Sequence, residues 1–213
     1  MNNYVITIAR GFGSGGKYIG QKLGERLGIP CYEREILTMA SEKSGIHESV
    51  FAQTDEKLRG SYLRKALMSI PHDKSVSPQD KDFVSDNNLF ALQSEIIRTL
   101  ADTESCIIIG KCADYVLKDY NNVLSIYVDA PRKACLESIM EKMNVTEKEA
   151  HKLIEKTDRY RADYYKYYTG GREWVNRTNY HMFLNSDKFG RDNCVDVIET
   201  IIKTKYGKKN NKK

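Results

Sequence analysis

The apolar residues of this chain follow two rhythms. YVITIA (4–9), CIII (106–109) and VLSIYV (123–128) are short runs rich in β-branched residues, which predicts strands buried on both faces. Between such runs apolar positions recur every three or four residues. Ile19, Leu23 and Leu27 predict a helix over 17–27 that Gly28 closes as C-cap. Leu89, Leu92, Ile96, Ile97 and Leu100 share one face of a helix over 89–101. Residues 131–143 and 190–204 read as further helices, and Thr146 with Glu149 forms a capping box for another. Shorter runs at 29–32 and 181–184 bring the strand count to five. Five short strands separated by helices predict an α/β fold with a parallel sheet.

One region breaks the alternation. From about 34 to 100 no strand is predicted: 34–43 and 55–70 read as helices, and 71–88 as a polar loop. A 213-residue chain is long enough for one packed domain that carries such an insertion.

Composition narrows the class. With 40% hydrophobic and 30% charged residues the chain reads as soluble, and no apolar run approaches the ~20 residues of a membrane span. Five scattered cysteines form no C-x-x-C pair, and the four histidines are isolated, so neither a disulfide framework nor a protein-held metal site is predicted. A cytoplasmic location is the expectation. The net charge of +5 is a property of the tail: residues 203–213 carry six lysines and no acid, and the 34 basic residues less those six leave 28 against 29 acidic. No nucleic-acid partner is expected on that distribution; residues 208–213 read as a disordered basic tail.

The chemistry starts where the first strand runs into ARGFGSGGKYIG (9–20). Gly11, Gly13 and Gly16 spell the G-x-G-x-x-G of dinucleotide loops, with Glu33 at the distance of a ribose-binding acid. Gly11, Gly16 and Lys17 equally spell the G-x-x-x-x-G-K of a P-loop, with Tyr18 in place of the usual Ser or Thr. Lys17 decides for the P-loop, because a lysine at a helix N-terminus aims charge at a terminal phosphate, which a bridging diphosphate does not need. The candidate phosphate cradle is therefore Gly11, Phe12, Gly13, Ser14, Gly15, Gly16, Lys17 and Tyr18.

A second cationic segment, EKTDRYRADYYKYYTGGREW (155–174), supplies Arg159, Arg161, Lys166 and Arg172, with Gly170-Gly171 as a hinge. Arginines where a helix gives way to a mobile loop could close over transferring phosphates as bidentate clamps. The competing reading is a solvated basic helix face whose tyrosines pack inward.

Taken together, ITIARGFGSGGKYIGQKLGERLGIPCYEREIL, CIIIGKCADYVL, LSIYVDAP and KTDRYRADYYKYYTGG resemble the cytidylate kinase-like family of P-loop nucleoside-monophosphate kinases. The resemblance implies a three-layer P-loop NTPase fold: a five-stranded parallel sheet flanked by helices, a helical monophosphate-binding insert (about 38–90) and a lid (about 157–178), in one domain over 1–207. It implies phosphoryl transfer from ATP with Mg²⁺ to a small phosphorylated acceptor, a pyrimidine monophosphate. Lys17, Arg159 and Arg161 would be catalytic; Glu33, Arg34, Lys111 and Asp114 would bind the acceptor; Asp158, Lys166 and Arg172 would belong to the lid. Asn185 would lie near the adenine. The chain departs from the family where the Thr two residues beyond the P-loop lysine, a magnesium ligand, is Ile19, and where acids flanking the Gly110 position are Ile109 and Cys112. A nucleotide-binding protein with little or no kinase activity is the alternative, and an NAD(P)-binding protein a weaker one.

Overall fold

The computed structural model describes residues 3–46 and 86–207. Strands β1 (Val5–Arg10), β2 (Cys31–Tyr32), β3 (Cys106–Ile109), β4 (Val123–Asp129) and β5 (Met182–Asn185) form one sheet in the order β2-β3-β1-β4-β5. Every pairing is parallel. Central β1 runs Val5–Ile8 against Cys106–Ile109 on one side and Val5–Arg10 against Val123–Val128 on the other. Its first five residues are buried, as the unbroken apolar run predicts for a strand covered on both faces.

Helices α1 (Gly16–Leu27) and α8 (Arg191–Tyr206) cover one face. There Ile19 and Leu23 meet Ile6, Ile8, Ile126, Val195 and Ile198, all with no exposed surface. Helices α2 (Glu35–Ser44), α3 (Asp86–Thr103) and α4 (Ala113–Val116) cover the other through Ile36, Ile97, Leu100, Ala113 and Leu117. Each fully buried Ile, Leu or Val among them contributes roughly 1.5–3 kcal/mol. The layers are those of an α/β P-loop fold. The strand order differs from the 3-2-1-4-5-6 order of dinucleotide domains, which removes the fold-level support for the NAD(P) reading.

Helices α5 (Arg132–Met143) and α6 (Glu147–Tyr168) pack on each other beside the sheet. Gly28 caps α1 with φ 64°, and Thr146 and Glu149 form the predicted capping box of α6. A 3-10 turn (Arg177–Asn179), α7 (Ser186–Phe189) and α4 are short elements that the periodicity does not predict. Two larger differences matter. Helix α3 (Asp86–Thr103) already covers the three residues before the predicted start. Helix α6 continues unbroken to Tyr168, so Arg159 and Arg161 lie inside a helix rather than where one meets a loop. Tyr164, Tyr165 and Tyr168 recur at helical spacing and pack into a cluster with Tyr127, Trp174 and Tyr180, and that burial sustains the helix through the first part of the segment read as a lid. The helix predicted at 55–70, most of the loop at 71–88, much of the 38–90 insert and the 208–213 tail lie outside the described residues.

Candidate active site

Because all five strands run the same way, the segments leaving their carboxyl ends gather at one edge, the usual place for a ligand in a parallel sheet. The glycine loop follows β1, Glu33 follows β2, Gly110-Lys111-Cys112 follow β3, Asp129 ends β4 and Asn185 ends β5.

The loop leaves the sheet at Gly11, whose amide still donates to the Val128 carbonyl (3.1 Å). Ser14 is buried; its hydroxyl donates to the Gly11 carbonyl (2.8 Å), and its own carbonyl accepts from the Ser186 hydroxyl (2.5 Å). Gly15 is the N-cap of α1 at φ 83°, a conformation that excludes a side chain without strain. The amides of Gly16, Lys17 and Tyr18 open the helix and lack intrahelical acceptors, which makes the turn an anion cradle. The Phe12 amide, at the loop's entrance, donates to the Asp158 carboxylate (2.8 Å). Burial raises the Asp158 pKa, with Asp129 adding to it, against the opposing pull of the Phe12 amide and Arg161. Tyr18 does not enter the cradle: it is 42% exposed and its hydroxyl donates to Asp192 (2.7 Å).

Lys17 Nζ lies 2.6 Å from one carboxylate oxygen of Glu33, and Arg10 Nη2 lies 2.8 Å from the other. Burial pushes the Glu33 carboxyl up, but the Lys17 hydrogen bond and the two cations outweigh it and hold its pKa below the ordinary value. A carboxylate engaged in this way is not offered to a ribose.

Next to this chain of charges lies a cavity of about 300 Å³, lined by Arg10, Glu33, Arg34, Lys111, Asp114 and Arg161 on its polar side. Tyr160, Tyr164, Tyr165 and Trp174 form an aromatic wall. Burial and the neighbouring Arg10 lower the Arg161 pKa to about 10, and burial likewise lowers Arg10, with Glu33 opposing. Asp114 accepts from the Tyr165 hydroxyl (2.7 Å); burial lifts its pKa to about 6 even though that bond opposes the shift. Gly110, Lys111 and Cys112 take φ values of 74°, 59° and 53° in succession. Two consecutive non-glycine residues in this left-handed region cost roughly 1–3 kcal/mol each, strain of the kind that gathers at binding sites. Gly110 has a steric reason as well, since a Cβ there would collide with Arg10 Nη1.

A model of the cytidylate kinase-like family matches residues 5–188. The chain belongs to that family. Among solved structures it is similar to an uncharacterized protein from Eubacterium ventriosum, at 25% identity over 95% of this chain and 99% of that one, with a TM-score of 0.69. It also shares its fold with a shikimate kinase from Bacteroides thetaiotaomicron, at 13% identity over 94% and 98% of the two chains and a TM-score of 0.52. No curated protein sequence is significantly similar to it. Fold and family together make this a kinase-like P-loop protein.

The residues singled out in the sequence separate into those that converge and those that do not. Glu33, Arg34, Lys111, Asp114 and Arg161 line one cavity, and Lys17 reaches its edge through Glu33. Arg159 does not join them: its side chain is 71% exposed and pairs with Glu155 (2.8 Å). The reason is helical geometry, since residues two apart point about 200° from each other around an α-helix. Lys166 is exposed, and Arg172, also exposed, lies over the Tyr115 ring (5.3 Å). Trp174 is buried edge-on to Tyr127, as a packing anchor should be. Asn185 caps α7, accepting from the amides of Asp187 and Lys188. Two residues escaped the sequence reading. Arg10 is the last residue of β1 and enters the cavity; Asp129 ends β4 with its carboxylate against Gly11. The available signal was position alone: each is a charged residue that ends a strand expected to run into the site. Among the described residues no helix is long and apolar enough to cross a membrane.

Proposed function

We propose that this protein transfers the γ-phosphoryl group of ATP to a nucleoside monophosphate, a pyrimidine nucleotide on the family resemblance. One observation carries the reading. The phosphate cradle and a cationic, aromatic-walled cavity adjoin, and a single carboxylate, Glu33, bridges the lysine of one and an arginine of the other. A donor phosphate in the cradle and an acceptor in the cavity would meet over that bridge.

In this mechanism the amides opening α1 hold the ATP phosphates, and Lys17 exchanges Glu33 for the β- and γ-oxygens. Arg161, with pKa near 10, stays charged at neutral pH and draws off the charge that develops on the transferring group. The acceptor's phosphate is already ionised at neutral pH, so no general base is required. The aromatic wall excludes water, which would otherwise divert the phosphoryl group to hydrolysis.

Magnesium fits the donor set, but not in the usual place. Tyr18 turns its hydroxyl away from the cradle, and the Ser14 hydroxyl is engaged with Gly11. Asp129 and Asp158, on either side of Gly11-Phe12, offer the hard carboxylate oxygens that magnesium takes alongside water and phosphate. Bound there with ATP, the ion would neutralise charge on the phosphates.

A second reading, a nucleotide-binding protein with little transfer, draws on the position of Tyr18. Thermal-shift titration with MgATP, NAD, CMP, dCMP, UMP and AMP, followed by coupled ADP-release assays, separates the readings. The kinase reading expects stabilisation by MgATP and ADP release with a pyrimidine monophosphate. Stabilisation by MgATP without ADP release for any monophosphate favours the second, and stabilisation by NAD alone contradicts both.

A further inference from the structure

Arg10 belongs to neither the glycine-loop motif nor the arginine pattern of α6, yet it stands between them. Its side chain is only 15% exposed, its stem passes under Gly16, and its guanidinium lies over Gly110. Arg161, on α6 and 20% exposed, donates through Nη1 to the Arg10 backbone carbonyl (2.9 Å). Two guanidiniums thus enter one cavity from two elements, β1 and α6.

Their hydrogen bonding is incomplete. A guanidinium carries five N–H donors. Arg10 uses Nη2 on Glu33 and Arg161 uses Nη1 on that carbonyl; the contact of Arg161 with Asp158, at 3.8 Å, is too long for a hydrogen bond. No other protein acceptor meets either group among the described residues. The charge leans positive too: Arg10, Lys17 and Arg161 face two carboxylates, Glu33 and Asp158. Donors left open to solvent on two mostly buried guanidiniums, with positive charge in excess around them, suit an anion.

We propose that Arg10 is a specificity-determining residue that, with Arg161, seats the phosphoryl group of the acceptor. This rests on the kinase reading above and goes beyond it by naming the residue that selects the acceptor's charge. The chemistry favours a phosphate monoester over a carboxylate. A carboxylate has two coplanar oxygens, which one guanidinium fork satisfies. Two forks carried by different elements, β1 and α6, can share the several oxygens of a tetrahedral group bearing a charge of about −1.5 to −2 at neutral pH. Gly110 is part of the same seat, since any side chain there would push Arg10 aside.

The test fills the cradle with MgADP and titrates the second site with methyl phosphate and, separately, acetate, read by ³¹P and ¹H NMR line broadening. Wild-type protein should bind methyl phosphate about tenfold or more tightly than acetate, the discrimination expected of two charged donor forks. Arg10→Lys keeps the charge and the buried stem but loses the fork; it should weaken methyl phosphate by about tenfold while changing MgADP affinity by less than about threefold. Equal binding of the two probes by wild type, or methyl phosphate affinity unchanged in Arg10→Lys while MgADP still binds, overturns the role of Arg10. Absence of MgADP binding to the wild type overturns the kinase reading instead. The two probes compared on wild-type protein keep the proposal exposed to refutation even if the variant does not fold.

Discussion

The phosphate cradle and the cavity beside it are built in opposite ways. The cradle is local: eight consecutive residues running from the end of β1 into the first turn of α1, shaped by glycines and by the open amides of one helix. The cavity is assembled from the ends of β1, β2 and β3 or the turns after them, together with residues of α2, α4 and α6 and Trp174, and its charged residues lie up to 151 positions apart, from Arg10 to Arg161. Local construction lets the sequence announce a phosphate site. Distributed construction leaves the cavity's ligand to packing and not to a motif.

Predictions follow from how far each half depends on single residues. The largest effect belongs to the cradle: Lys17→Ala should reduce ADP release by about 10³-fold or more, with the thermal unfolding profile preserved. In the cavity, Arg161→Ala should lower turnover by about 10²-fold, while Arg159→Ala, outward-facing on the same helix, should cost less than about threefold. Equal losses for the two arginines would show that α6 rearranges to bring Arg159 inward.

Asp114 gives a prediction in pH. Burial raises its pKa from the ordinary 3.8 to about 6, so the folded state binds that proton more tightly than the unfolded chain. The group's contribution is therefore most favourable below pH 4 and is lost as pH rises through 6. Asp114→Asn retains an acceptor for the Tyr165 hydroxyl and removes the buried charge. It should raise stability at pH 8 by about 2 kcal/mol and leave it nearly unchanged at pH 4, read from denaturant midpoints at both pH values. A smaller change is expected from Gly110→Ala, which meets both a φ of 74° and the Arg10 guanidinium: a stability loss of about 1–2 kcal/mol accompanied by weaker acceptor binding. Least of all, Tyr18→Phe should leave the thermal midpoint and ATP affinity unchanged within error, because it deletes only an exposed bond to Asp192.

The same contrast explains what could be read in advance. Strands and helices came through because one buried face imposes a period: β1, β3, β4, α1 and α5 lie within a residue or so of their predicted bounds. The loop came through because its glycines and Lys17 are contiguous. Arg10 did not, since a charged residue ending an apolar run looks like the end of a strand until Gly110, a hundred positions away, proves to be the floor beneath it. The positive φ of Lys111 and Cys112 was equally hidden, neither residue type being one that signals a left-handed turn. Arg159 and Arg161 read as a pair along the chain, but α6, held helical by its buried tyrosines, puts them on different faces.

The central claim is that cradle and cavity act on one phosphoryl group. Its most direct test is ³¹P NMR of wild-type protein with MgATP and CMP, dCMP or UMP, with Lys17→Ala as the control. The account predicts ADP and a nucleoside diphosphate appearing in equal amounts with at least one of the three, and neither with the variant. MgATP bound at the cradle with no diphosphate product from any of them would contradict it.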